Sequence, residues 1–367
     1  MSMLHRMRLA YRVVRRVFGV RVAPLFTGVL FGVLRGAVAV FMGLDALLVG
    51  RLRRTKIVRP IVIVGSPRTG TTFLQRFLHR AGVGSGMQLW RMLYPSVLLQ
   101  KLLRPLLPLL ERVSPARHHS TVAHATSLSS VETDDAGIFL RYFDGFFLYG
   151  FFLAWDDDEH RGIVDPAVRD TSARDYAWLE AVWRRNLAAT GGERVVAKMF
   201  SLSTRMQGFF DRFPDARVLY MLRDPVDVIP SGMSLVTGVL DKRFGVWSLP
   251  EATRRRYLDR LYEAFVELLR RFHDDYTGGV IDRERVYLVR YDRMMREFEV
   301  VMDEILAHVG APKDAALEAA IREQAEKQRA YKSKHKYSLE KFGLDRAKIE
   351  RDCAFMYETF GIPKRAD

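Results

Sequence analysis

The chain of 367 residues carries a net charge of +15, and 49% of it is hydrophobic. That length fits one large or two ordinary domains, and the apolar content suffices for a buried core. A single cysteine, Cys353, excludes an intramolecular disulfide, and no CxxC or HExxH pattern or zinc-like histidine spacing is present to hold a metal.

The charge is concentrated at the start. Residues 1–56 hold eleven Lys and Arg against one acid, Asp45, and so supply ten of the fifteen net charges. On a helical wheel His5, Arg8, Arg12, Arg15 and Arg16 share one side and Met3, Met7, Val14, Val17 and Phe18 the other, the pattern of a basic amphipathic helix. Residues 22–49 follow, largely apolar but interrupted by Arg35 and Asp45. Their uncharged runs, 22–34 and 36–44, are each shorter than the roughly 18 residues a spanning helix needs. The expectation is a helical hairpin or a helix lying at a membrane surface; a true span and a soluble helix packed on the rest of the protein are the alternatives. The apolar part starts late for a cleaved signal peptide. Nucleic acid is not an expected partner, because the basic residues are interleaved with aliphatics rather than with aromatic and polar side chains.

The most informative stretch comes next. Residues 61–64, IVIV, read as a buried parallel strand. Gly65 and Gly70 bracket a loop of Ser66, Pro67, Arg68 and Thr69, and Thr71 and Thr72 open an amphipathic helix carrying Phe73, Leu74, Phe77 and Leu78. Strand, glycine-bounded loop and helix aim backbone N–H groups at an anion. The glycine spacing is that of a Walker A loop, but Thr71 stands where the lysine of a Mg-nucleotide site belongs, and Arg68 is the only cation in the loop.

Residues 87–113 are leucine-rich and broken into short helices by Pro95, Pro105 and Pro108. The polar run 118–135, HHSTVAHATSLSSVETDD, reads as a loop entering a helix, with Ser129 or Ser130 as cap and Glu132, Asp134 and Asp135 in the first turn. An aromatic stretch (139–155), an acidic linker (156–170) and a helix (172–189) follow. Residues 194–199 read as a second strand ending on Lys198, 202–213 as a helix, and 217–222 as a third strand ending on Arg223. Helices at 226–240 and 254–275, a fourth strand at 285–289 and helices to the C-terminus complete the chain. Strands alternating with helices predict an α/β fold, a P-loop-like parallel sheet flanked by helices. Ligands bind such sheets at the carboxyl ends of the strands, where Arg68, Lys198 and Arg223 would converge. Arg223 and Ser231, eight residues apart, could hold a second anion through an arginine fork and a hydroxyl.

GSPRTGTTFL at 65–74, followed by RVLYMLRDPVDVIPS at 217–231, resembles the sulfotransferase family, in its bacterial-type branch. The resemblance extends to Lys198, FPDAR at 213–217 and HKYSLEKFGL at 335–344, and spans roughly residues 57–360. It implies a catalytic domain over 57–367, with residues 1–56 as a separate helical segment. It also implies the donor co-substrate 3′-phosphoadenosine-5′-phosphosulfate (PAPS) and no metal. Ser66, Arg68, Thr69, Gly70, Thr71 and Thr72 would cradle the 5′-phosphosulfate, with Arg68 where cytosolic members carry lysine. Phe73 would stack on adenine, Arg223 and Ser231 would take the 3′-phosphate, and Lys332, Lys334, His335 and Lys336 would close over the nucleotide. Arg68 and Lys198 would steady the leaving phosphate. Glu132 is the expected base, with Asp134 open as an alternative, His124 second and His118 and His119 third.

A small-molecule kinase and a non-catalytic membrane-associated scaffold are the competing readings; the first lacks the Walker lysine. The expected acceptor is a hydroxyl or amine on a small, lipophilic molecule or lipid, suggested by the apolar 87–113 and aromatic 139–155 stretches. The expected location is the cytoplasm or the inner face of its membrane.

Overall fold

The computed structural model describes residues 1–114, 127–329 and 339–364. It divides into two compact units, each assembled from separated pieces of chain: Met1–Ile57, Met87–Glu193 and Leu235–Leu261 form one, and Val58–Gly86, Arg194–Ser234 and Tyr262–Asp367 the other.

The second unit holds the sheet. Its strands are β1 (Ile61–Val64), β2 (Val196–Lys198), β3 (Arg217–Leu222) and β4 (Val286–Arg290), in the order β2-β1-β3-β4 and all parallel. All four residues of β1 are fully buried, as both faces of a central strand must be. Ile61, Ile63, Leu219, Met221 and Val289 pack with Leu74, Phe77 and Leu78 of the helix Thr71–Arg80, and with Phe298, Val301 and Met302 of the helix Phe298–Val309. Tyr220 of β3 lies against Phe272, ring to ring. The parallel sheet expected from the alternation of strands and helices is therefore present, with strand boundaries within two residues of expectation.

Among the described residues the first unit is helical. It begins with α1 (Met3–Phe18), which ends on Gly19 at φ 68°, and continues with α2 (Ala23–Leu48). Val13 and Val14 of α1 are buried, while Arg8, Arg12 and Arg15 are exposed. Arg6 is buried too, donating to the carbonyls of Tyr142 and Phe143 and pairing with Asp144. The apolar stretch 22–49 thus forms one uninterrupted helix with one side against its own unit. The prolines do fragment 87–113, into Leu89–Leu93, Val97–Leu103 and Leu107–Val113.

Two local expectations are corrected. The helix after the polar run begins at Asp135, not near Ser130, because the preceding backbone is engaged elsewhere: Leu89 N–H donates to the Ser130 carbonyl and Trp90 N–H to that of Leu128. The helix expected over 202–213 is a 3-10 turn, Ser201–Thr204, and a separate helix, Met206–Arg212. The aromatic stretch contributes to the core through Tyr149 and Trp155, which are fully buried, with Trp155 stacked on Tyr257 at 3.6 Å, while Phe139, Phe147 and Phe151 are half-buried.

Asp45 is the polar anchor of the first unit. Fully buried, it accepts hydrogen bonds from Ser96 Oγ and from the backbone N–H of Val97 and Leu98, each at 3.0 Å, and from Arg185 Nε at 3.0 Å. It therefore caps the helix Val97–Leu103 from another helix and neutralises Arg185, which also donates to the Met42 carbonyl. Asp45→Ala leaves that guanidinium buried and unpaired. The expected loss is about 3–5 kcal/mol of unfolding free energy, read from urea denaturation.

Candidate active site

The loop after β1 is shaped by backbone positions that few side chains tolerate. Gly65 has φ 143°, and a Cβ there would lie 3.0 Å from both the Met221 carbonyl oxygen and the Thr69 hydroxyl. Gly70, at φ 92°, begins the helix Thr71–Arg80 in the left-handed region. A Cβ on it would come within 3.1 Å of Met294 and of the Tyr291 ring. Arg68, at φ 77°, is a non-glycine residue held in that same region. The loop is closed internally by Thr69, whose hydroxyl donates to the Ser66 carbonyl at 2.9 Å. It delivers the chain to a helix N-terminus, whose first-turn N–H groups have no intrahelical acceptor.

Three cations stand at the carboxyl ends of three neighbouring parallel strands. Arg68 follows β1, and its Nε donates to Ser231 Oγ at 3.1 Å. Arg223 follows β3, and its Nη1 donates to the Arg68 carbonyl at 3.0 Å. Lys198 ends β2, and its Nζ donates to Thr72 Oγ1 at 2.8 Å. The structure thus brings together Ser66, Arg68, Thr69, Gly70, Thr71, Thr72, Lys198, Arg223 and Ser231 within one unit. An acid also touches the group: Asp227 pairs with Arg223 at 3.1 Å.

Among the described residues, two buried polar atoms here have no hydrogen-bond partner. They are the hydroxyl of Ser66, a residue only 2% exposed, and Nε of Arg223. Buried donors are normally satisfied, and a lone hydroxyl in an anion loop is a natural donor for a ligand oxygen. Phe73 lies differently: it is half-buried, with its ring against Phe77 and edge-on to Phe298, 5.8 Å between centroids.

Sequence reading missed Tyr291. It follows β4 directly, and its ring lies under the Arg223 guanidinium, 4.3 Å from ring centroid to guanidinium carbon, while also walling Gly70. The rule that singled out Arg68, Lys198 and Arg223, a chemically capable residue just past a strand, would have found it. Asp224 was likewise missed as a structural support. Its carboxylate accepts from Val226 N–H at 2.9 Å and from the Tyr357 hydroxyl at 2.6 Å, fixing the start of the helix Pro225–Phe244 that carries Ser231. Burial and that carboxylate push the Tyr357 phenol well above its ordinary range, so it stays a donor.

The candidate acids lie in the other unit. Glu132 is buried, held by its N–H to the Met87 carbonyl and by Ser130 Oγ, which donates to its Oε1 at 2.8 Å. Asp134 is fully buried and accepts from the Trp183 indole at 2.8 Å, a bond that ties two helices together. His118, His119 and His124, and Lys332, Lys334, His335 and Lys336, lie outside the described residues. Among the described residues one trio, Asp156, Asp158 and His160, has potential metal-ligating atoms within 4.8 Å of one another. Arg16 and His160 already engage the Asp156 carboxylate, so the group is an ion-pair cluster.

Residues 60–315 match the family described as the sulfotransferase family. Among solved structures, the chain is similar to sulfotransferase STF9 from Mycobacterium avium, at 20% identity over 86% of this chain and 80% of that one, TM-score 0.67. It is also similar to sulfotransferase STF1 from Mycobacterium tuberculosis H37Rv, at 17% identity over 96% of this chain and 91% of that one, TM-score 0.67. Comparison with curated proteins gives no match.

The tight packing at Gly70 gives a paired prediction. Gly82, at φ 76°, has open space where a Cβ would go, so Gly82→Ala meets only backbone strain, about 1–2 kcal/mol. Gly70→Ala adds a collision with Tyr291 and Met294 and is expected to cost more than Gly82→Ala, as measured by urea unfolding.

Proposed function

The chain belongs to the sulfotransferase family, and from that premise we propose that it moves a sulfuryl group from PAPS to a hydroxyl or amine of a small acceptor. The observation that carries the reading is the hydrogen-bonded coupling of Arg68 with Ser231 and of Arg223 with the Arg68 backbone. Two anion sites built from strand-end residues of β1 and β3 suit a nucleotide with a phosphosulfate at one end and a phosphate on its ribose. Ser66, Thr69, Gly70, Thr71 and Thr72 are the proposed 5′ cradle, Arg223 and Ser231 the proposed 3′-phosphate site.

The chemistry follows from where charge develops. The acceptor oxygen or nitrogen attacks sulfur in line, the bond from sulfur to the bridging phosphate oxygen breaks, and adenosine 3′,5′-bisphosphate leaves. Negative charge grows on that bridging oxygen, as in phosphoryl transfer. Arg68, Lys198 and the helix N-terminus are the groups suited to stabilise it, and their pre-formed hydrogen bonds limit reorganisation. The acceptor's proton goes to Glu132, the proposed base. Asp134 suits that task less, because it is sealed from solvent and its carboxylate is committed to Trp183. The acceptor class we favour is lipophilic, on the strength of the exposed leucines Leu102, Leu106 and Leu109 in the proline-broken stretch.

Calorimetry with adenosine 3′,5′-bisphosphate and with ATP separates this reading from a kinase. We expect binding of the bisphosphate and none of ATP; the reverse result sinks the proposal. Arg223→Ala removes a charge-assisted contact worth about 1.5–3 kcal/mol, so the bisphosphate affinity should fall roughly 10- to 150-fold. Glu132→Gln should leave that affinity unchanged and lower kcat by about 100- to 10,000-fold. Incubation with radiolabelled PAPS and a lipid extract tests the acceptor class: label confined to the aqueous phase would exclude a lipid.

A further inference from the structure

The helix α2 has a sharply two-sided surface. Gly28, Phe31, Arg35, Val38, Met42 and Asp45 recur at three- and four-residue steps and face its own unit: Gly28 meets Met7, Phe31 meets Phe143, and Asp45 and the Met42 carbonyl meet Arg185. Both charges of the helix are on that inner side. The outer side has none. Phe26, Val29, Leu30, Val33, Val40 and Leu47 are all between 58% and 73% exposed. A 26-residue helix with an apolar, charge-free outer face is far from the scattered exposed leucine of an ordinary surface. Leu102, Leu106 and Leu109, from helices of the same unit, are exposed as well.

The ends of this face are cationic. Arg21 precedes α2, and Arg51, Arg53, Arg54 and Lys56 follow it, all exposed. The exposed side of α1 adds Arg8, Arg12 and Arg15. We propose that α2 is an in-plane membrane anchor: its outer face enters the acyl boundary of an anionic phospholipid bilayer while the flanking arginines and Lys56 contact the headgroups.

Charge selects this occupant over a second copy of the chain. Any two-fold pairing of α2 with itself, parallel or antiparallel, sets a cationic end against another cationic end, whereas anionic headgroups complement both. The Asp45 anchor selects the in-plane mode over a span. By length and composition alone α2 could cross a bilayer. Crossing would strip Asp45 from Ser96, Val97, Leu98 and Arg185 and carry Arg35 and Asp45 into hydrocarbon. In the in-plane mode every one of these bonds survives. The reading needs neither donor nor acceptor, so it stands or falls separately from sulfuryl transfer.

Vesicle flotation of the full chain tests it. The protein should float with phosphatidylcholine vesicles containing phosphatidylglycerol, and much less with phosphatidylcholine alone. Combining Val29→Asp and Val33→Asp should cut the bound fraction at least tenfold at an unchanged melting temperature. Arg51→Glu, Arg53→Glu and Arg54→Glu together should weaken binding chiefly at low salt. Should the aspartate variant fail to fold, Val33→Trp decides alone: its fluorescence should be quenched most by lipids brominated near the headgroup. Strongest quenching by lipids brominated at the chain end would mean a span and overturn the proposal. A wild-type chain that does not float overturns it too, whether or not it dimerises through α2, as does flotation indifferent to the aspartates.

Discussion

The candidate site depends on the parallel pairing of β1 with β3. Their register sets Val64 beside Tyr220, so the chain leaves β1 two residues short of the end of β3 at Leu222 and on the same carboxyl edge of the sheet. Gly65 can then pass within contact of Met221, and Arg223 can reach the Arg68 carbonyl. That hydrogen bond joins residues 155 positions apart in sequence. β2 pairs on the other side of β1, with Ile63 beside Lys198, and this brings the third cation to the same edge. Sheet topology, more than any single side chain, is what concentrates positive charge there.

Concentrated cations repel, and the structure shows part of how the repulsion is tempered. Asp227 pairs with Arg223, the Tyr291 ring lies beneath the same guanidinium, Arg68 donates to the Ser231 hydroxyl and Lys198 to that of Thr72. In the other unit the same problem is met by one acid: Arg6, Arg169 and Arg174 all converge on Asp144, and Arg169 and Arg6, with the Gly145 N–H, hold its carboxyl below the usual range despite burial.

Much of this was legible in the sequence because strand ends leave a local signature. An apolar β-branched run followed at once by a glycine loop, a lysine or an arginine marks both the strand and the edge at which its last residue lies. What the sequence hid was set by tertiary contact. The start of the helix at Asp135 was displaced because Leu128 and Ser130 give their carbonyls to residues 89 and 90, some forty positions earlier. The aromatic run 139–155 could not be sorted into core and surface without its partner Tyr257. Tyr291 carries no charge to mark it in the sequence; its part is to place a ring beneath the charged Arg223. The sidedness of α2 was equally hidden: its composition suits a span, and only the contacts of Phe31, Met42 and Asp45 show which side faces inward.

The loop carries stored cost as well as charge. A non-glycine residue at φ 77°, such as Arg68, costs of order 1–3 kcal/mol relative to a relaxed backbone. The buried Ser66 hydroxyl, without a partner among the described residues, costs a similar amount. Neither residue is needed to complete the hydrophobic core, and a relaxed connection between β1 and the following helix would be more stable without them. On the proposed reading, an anion in the loop would accept from the Ser66 hydroxyl and offset that cost. Part of the loop's penalty would then be recovered only on binding, which is what a pre-organised anion site requires.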